Sequence, residues 1–193
     1  MIHYFERLLG ILDHSLKSID EKMFRQLIDE CKITLDNGGK IVVSGLGKNV
    51  PVCEKFVGTM TSLGLSASFM NTNSAVHGDL GMVSKRDLII LLTKSGETKE
   101  SVYLYNILKK RGCDIWMISF SKDSTLANEI NGKIIMDLEH EGDMWDIVPN
   151  NSTTLNLIVL QALAMKLAEK MGVSLEEFKE NHPGGHIGEL LNE

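Results

Sequence analysis

Leu88-Ile89-Ile90-Leu91-Leu92-Thr93-Lys94-Ser95-Gly96-Glu97-Thr98 decides the fold. Five consecutive apolar residues, β-branched and leucine, read as a strand buried on both faces. The polar turn that follows carries hydroxyls, a lysine and a glycine, and leads into a helical pattern at 98–110. A buried strand, a small-residue loop and a helix make the unit of an open α/β sheet. Ligands of such sheets sit beyond the carboxyl ends of the strands, and helix N-termini there receive anions. The unit occurs a second time upstream: Ile41-Val42-Val43 runs into Ser44-Gly45-Leu46-Gly47-Lys48 and a helix at 48–63.

Working outward, strands are expected at Lys40–Ser44, Ser66–Met70, Asp87–Leu92, Asp114–Ser119 and Lys133–Asp137. Helices are expected at 2–36, 48–63, 98–110, 124–129 and 152–171, and at Ser174–Glu180, where Ser174 and Glu177 have capping-box spacing. A loop with a short helix fills Asn71–Leu80. The strands are near-continuous apolar runs, so the expected fold is α/β: a five-stranded parallel sheet with helices on both faces, a three-layer sandwich. No linker or repeat interrupts the 193 residues, so one domain is expected: a helical arm at 1–36, then a core and tail at 40–191. The arm covers the same sheet or packs on a partner subunit.

The net charge of −6 argues against a sequence-independent grip on nucleic acid, although Lys48 and Lys94 could make one site locally positive. Cys31, Cys53 and Cys113 are odd in number and widely spaced, which fits a reducing cytoplasm. The start, Met1-Ile2-His3-Tyr4-Phe5-Glu6-Arg7, has no signal pattern, and no apolar run approaches membrane-spanning length. A cytoplasmic protein without membrane or nucleic-acid partners is expected.

Phosphate binding is the expected role of Thr93, Lys94, Ser95 and Thr98, with Ser44 on the first loop; a plain helix cap at Ser95 or Thr98 is the structural alternative. Ser152 and Thr153, at the start of the long helix, are a second hydroxyl cluster, with capping again the alternative. Lys48 lacks P-loop spacing, and a lysine opposing a helix dipole suggests a nearby anion. Glu97 and Glu100 read as first-turn carboxylates. His182 and His186 are four apart, but Pro183-Gly184-Gly185 excludes a regular helix between them, so no metal site is expected.

The ordered set Gly45-Leu46-Gly47-Lys48, His77-Gly78-Asp79-Leu80-Gly81-Met82, Ser95-Gly96-Glu97, Pro149 to Thr153 and His182-Pro183-Gly184-Gly185 resembles the SIS (sugar isomerase) domain over roughly residues 40–191. More narrowly it is similar to the arabinose-5-phosphate isomerases, which interconvert ribulose 5-phosphate and arabinose 5-phosphate. The chain departs from their usual pattern at Asn49 (Ser), at Glu141-Gly142-Asp143-Met144 (Glu-Ala-Cys-Pro) and at Pro149-Asn150-Asn151-Ser152-Thr153 (Pro-Thr-Ser-Ser-Thr). Many members carry two C-terminal CBS domains; the sequence ends at Glu193, and an enzyme without them is expected.

The resemblance implies a flavodoxin-like SIS fold, a homotetramer, and a cofactor-free, metal-free aldose–ketose isomerase acting through an enediol. It implies active-site roles for Lys48, His77, Glu100, Glu141 and His182, the last in its own or a neighbouring subunit's site. Histidine titrates near neutral pH without help; His182 or His77 is the expected proton-shuttling base, and sequence leaves the choice open. Two other readings stand beside this one: an isomerase of another sugar phosphate, and a non-catalytic phosphosugar-binding regulator.

Overall fold

The computed structural model describes residues 2–192. Two helices open the chain, α1 (Ile2–Lys17) and α2 (Glu21–Asp36). The single helix expected over 2–36 is therefore broken at 18–20. Asp20 causes the break: its backbone is extended and its carboxylate accepts from Lys22 N–H and Met23 N–H, capping α2. Then follow β1 (Ile41–Gly45), α3 (Asn49–Ser62), β2 (Ala67–Asn71) and two short 3-10 turns at Ala75–His77 and Asp79–Met82. β3 (Leu88–Leu92), α4 (Lys99–Arg111), β4 (Asp114–Ser119), α5 (Thr125–Glu129) and β5 (Gly132–Ile135) come next. The chain ends in α6 (Asn151–Met171), α7 (Leu175–Glu180) and α8 (Gly185–Asn192).

All five strands pair in parallel, in the order β2-β1-β3-β4-β5. Alternate side chains serve two apolar layers. Ile41, Val43, Leu88, Ile90, Leu92, Trp116 and Ile118 meet α2, α3 and α6. Val42, Ile89, Leu91 and Met117 meet Leu104 and Leu108 of α4 and Leu126 of α5. Each fully buried side chain of this kind contributes about 1.5–3 kcal/mol before its entropy is counted. α3 tolerates Pro51 because it lies in the first turn, where no intrahelical donor is lost. The Ser174–Glu177 capping box forms as expected. Among the described residues, no helix is long and apolar enough to cross a membrane.

Strand order reverses between β1 and β3: β1 leads to β2 on one side and β3 leads to β4 on the other. This is the switch point at which doubly wound sheets open a crevice. The loops after β1 and β3 both end there.

Candidate active site

The loop after β3 is built by its own side chains. Thr93 is buried, and its hydroxyl accepts from Gly96 N–H (3.1 Å). Ser95 Oγ accepts from Glu97 N–H (3.2 Å), which leaves the Ser95 proton for another acceptor. Gly96 has φ +68, and a Cβ there would lie 2.1 Å from Ser124 Oγ, so the position demands glycine twice over. Glu97 is not a first-turn residue of α4. It precedes the helix and accepts from Thr125 N–H (2.6 Å) and Thr125 Oγ1 (2.8 Å), bracing α5 and holding its own carboxyl below the usual range. Thr98 takes the N-cap position of α4, yet its side chain makes no cap bond. The first turn of α4 therefore faces the crevice with hydroxyls nearby and no side-chain cap.

On the β1 side, Ser44 is buried and pairs with Thr72 beyond β2 (2.9 Å). Lys48 is exposed at the start of α3, where no side-chain bond caps the helix. Asn49 packs its Cβ against Gly45, and its Oδ1 accepts from Asn156 Nδ2 of α6 (3.0 Å). Asn156 is buried, and its own Oδ1 has no partner among the described residues. Neither Thr72 nor Asn156 is singled out by sequence; each is a lone polar residue whose partner lies more than twenty-five positions away. His77 is exposed in the 3-10 turn after β2, at this same end of the sheet. Glu100 is exposed in the first turn of α4.

Glu141 sits beyond β5 and has no exposed surface. Its Oε1 is ion-paired with Lys94 Nζ (2.6 Å) and accepts from Ser152 Oγ (2.7 Å). Its Oε2 accepts from Ser152 N–H (2.9 Å) and Asn150 N–H (3.1 Å). Burial pushes its carboxyl up, but the Lys94 ammonium and the Ser152 and Asn150 donors outweigh that and hold it below the ordinary glutamate value. The Ser152 proton is thus committed to Glu141, and Thr153 donates back to Asn150 O (3.0 Å).

His182 lies elsewhere. Its Nε2 is 2.7 Å from Ser62 Oγ and its Nδ1 is 2.7 Å from Phe178 O. A carbonyl only accepts, so Nδ1 carries the proton and Nε2 accepts from the Ser62 hydroxyl. Ser62 ends α3, whereas Lys48 precedes its start; 14 helical residues separate those ends by roughly 20 Å. Within one chain, then, Lys48, His77, Lys94, Ser95, Thr98, Glu100 and Glu141 gather at the carboxyl end of the sheet, while His182 stands at the opposite end.

The SIS domain family matches residues 34–166. Arabinose 5-phosphate isomerase KdsD of Pseudomonas aeruginosa is 31% identical over 190 residues, which cover 98% of this chain and 58% of that protein. The enzyme of the same name from Salmonella typhi is 31% identical over 186 residues, covering 96% and 57%. The chain thus spans under three fifths of the length of these curated relatives. An E. coli CFT073 protein solved in complex with arabinose 5-phosphate superposes with a TM-score of 0.86 at 31% identity, with 94% of each chain covered.

Proposed function

Because the chain belongs to the SIS domain family, we propose that it isomerises a sugar phosphate between aldose and ketose, with D-arabinose 5-phosphate and D-ribulose 5-phosphate as the pair. One observation carries this reading: two loops with phosphate-type donors converge at the switch of a parallel sheet. The similarity to arabinose 5-phosphate isomerases at 31% identity adds support.

The phosphate rests on Ser95, Thr98 and the uncapped first turn of α4, with Lys94 alongside. Anchoring that remote group leaves C1 and C2 to be oriented for proton transfer. Lys48 faces the developing enediolate as a cation. A histidine moves the proton between the two carbons, a step whose general base contributes about 10²–10⁴-fold. His77 is the histidine at the loop end of its own chain; His182 would reach a crevice only from another copy. The exposed apolar residues of α1 (Ile2, Tyr4, Phe5 and Leu9) suit packing between copies, in keeping with a cytoplasmic homotetramer.

The test is NMR of the purified protein with ribulose 5-phosphate in D₂O. Arabinose 5-phosphate carrying deuterium at C2 is the expected product. Binding without conversion would overturn this substrate assignment in favour of a regulator or an isomerase of another sugar phosphate.

A further inference from the structure

Glu141 has the wrong environment for a proton shuttle. The Glu141 carboxylate accepts three hydrogen bonds, from the Ser152 hydroxyl and the Ser152 and Asn150 N–H groups, and the Lys94 ammonium is ion-paired with its Oε1. The group has no exposed surface from which to reach a substrate.

Lys94 is the opposite. Its backbone carbonyl is held by Phe120 N–H (3.2 Å) and Ser119 Oγ (3.1 Å), and its ammonium by Glu141. The side chain is nevertheless 49% exposed. An ammonium has three donors, more than the one Glu141 oxygen paired with it can occupy. Lys94 also lines a cavity of 330 Å³, with Ser95, Phe120, Ser121, Leu138 and Asp146. A flexible side chain fixed at both ends has already lost most of its rotamer entropy before a ligand arrives.

We propose that Glu141 is a positioning residue that holds Lys94, and that the Lys94 ammonium is the group that meets the ligand, favouring the dianionic form of a phosphate. The inference rests on the reading of the loop after β3 as the phosphate site of a phosphosugar and assigns the work beside it: Glu141 carries no proton, and its loss acts through Lys94. Asp146, in the wall of the same cavity, accepts from Glu141 N–H through its Oδ1 (2.7 Å).

Titration with inorganic phosphate, followed by NMR or calorimetry, tests this without depending on turnover. Lys94→Met should weaken phosphate binding by roughly 10- to 100-fold, the worth of a charge-assisted hydrogen bond. Glu141→Gln should weaken it by about 10-fold, and the double variant should bind no worse than Lys94→Met alone. The gain in affinity between pH 5.5 and 7.5, as phosphate becomes the dianion, should shrink in each variant; a merely structural loss would leave that slope intact. Glu141→Asp keeps the charge but draws the anchor back, and should shift affinity in the same direction if Glu141→Gln does not fold. Additive losses in the double variant would overturn the positioning role. So would a Glu141→Gln enzyme with normal phosphate affinity and kcat reduced by orders of magnitude, the signature of an acid–base group. Absence of phosphate binding by the unaltered chain would overturn the Lys94 assignment. Phosphate binding that follows the expected pattern, without turnover of ribulose 5-phosphate, would uphold it and remove only the isomerase.

Discussion

Two lysine–carboxylate pairs of the same chemistry sit at opposite ends of the sheet. At the amino end, Asp87 accepts from Lys40 Nζ (2.8 Å), Lys40 N–H (3.0 Å) and Ser84 N–H (2.8 Å). At the carboxyl end, Glu141 is ion-paired with Lys94 and accepts from three donors. Both carboxylates are enclosed, Asp87 at 3% and Glu141 at 0% exposure. The lysines differ: Lys40 is 24% exposed and Lys94 is 49% exposed. Asp87 ties the start of β3 to the start of β1, so its pair is a clasp between strands. Glu141 ties a loop beyond β5 to the phosphate-type loop beyond β3, so its pair leaves a cation at the mouth of a cavity. On the proposed function, the end of the sheet, and not the pair itself, separates an ion pair that fastens the fold from one that serves a site.

Swapping each lysine for methionine breaks the comparison most sharply. Lys94→Met is expected to lower kcat/KM by roughly 10- to 100-fold, with a stability loss of only about 1–2 kcal/mol because three donors still serve Glu141. Lys40→Met should do the reverse: about 2–3 kcal/mol of stability, because only two backbone N–H groups then serve the enclosed Asp87, and kcat/KM within about two-fold of the parent. Steady-state kinetics and denaturant unfolding of both variants would check this. Equal loss of activity in the two would refute the division of labour.

A glycine beside each pair extends the contrast. A Cβ on Gly39 would fall 2.2 Å from Arg86 O, a backbone atom next to Asp87. A Cβ on Gly96 meets the Ser124 side chain instead. Gly39→Ala should cost about 2–3 kcal/mol and spare KM, because a strand edge must shift. Gly96→Ala should cost about 1–3 kcal/mol and raise KM, with Ser124→Ala relieving part of the clash but not the strain of the positive φ. Melting and KM measurements on these variants separate the two ends.

The smallest effect is in acid. Burial pushes both carboxyls up, but lysine and backbone donors win and hold each below its ordinary value, 3.8 for Asp87 and 4.5 for Glu141. On acidification the unfolded chain takes up these protons first, so unfolding is favoured. The stabilisation is complete above those ordinary values and is lost as pH falls through the lower folded ones. Tm should be level with respect to these two groups from neutral pH to about 5 and fall below that. Lys40→Met and Glu141→Gln should each flatten the acid limb; an unchanged limb in both would show that neither pair governs it.

The sheet was legible because its signal is local. Each strand lies within two residues of its apolar run, and Ser174 and Glu177 supply a cap that spacing alone announces. Asp20 was equally local, but a long apolar periodicity on either side masked the break it makes at 18–20. The two loops at the switch point were also legible, since glycine and hydroxyl residues after a buried strand have few other uses.

What sequence by itself determined, then, is the α/β order, the parallel sheet and the loops at which a phosphosugar is expected. Periodicity and turn chemistry act over a few residues and need no partner. Tertiary structure alone decided that Glu141 is enclosed and held by Lys94, Asn150 and Ser152, that Asn156 reaches Asn49, and that His182 lies with Ser62 at the far end of α3. Each of these depends on which groups meet across nine to more than a hundred positions, and a carboxylate's donors or a histidine's neighbours do not exist until the chain has folded around them.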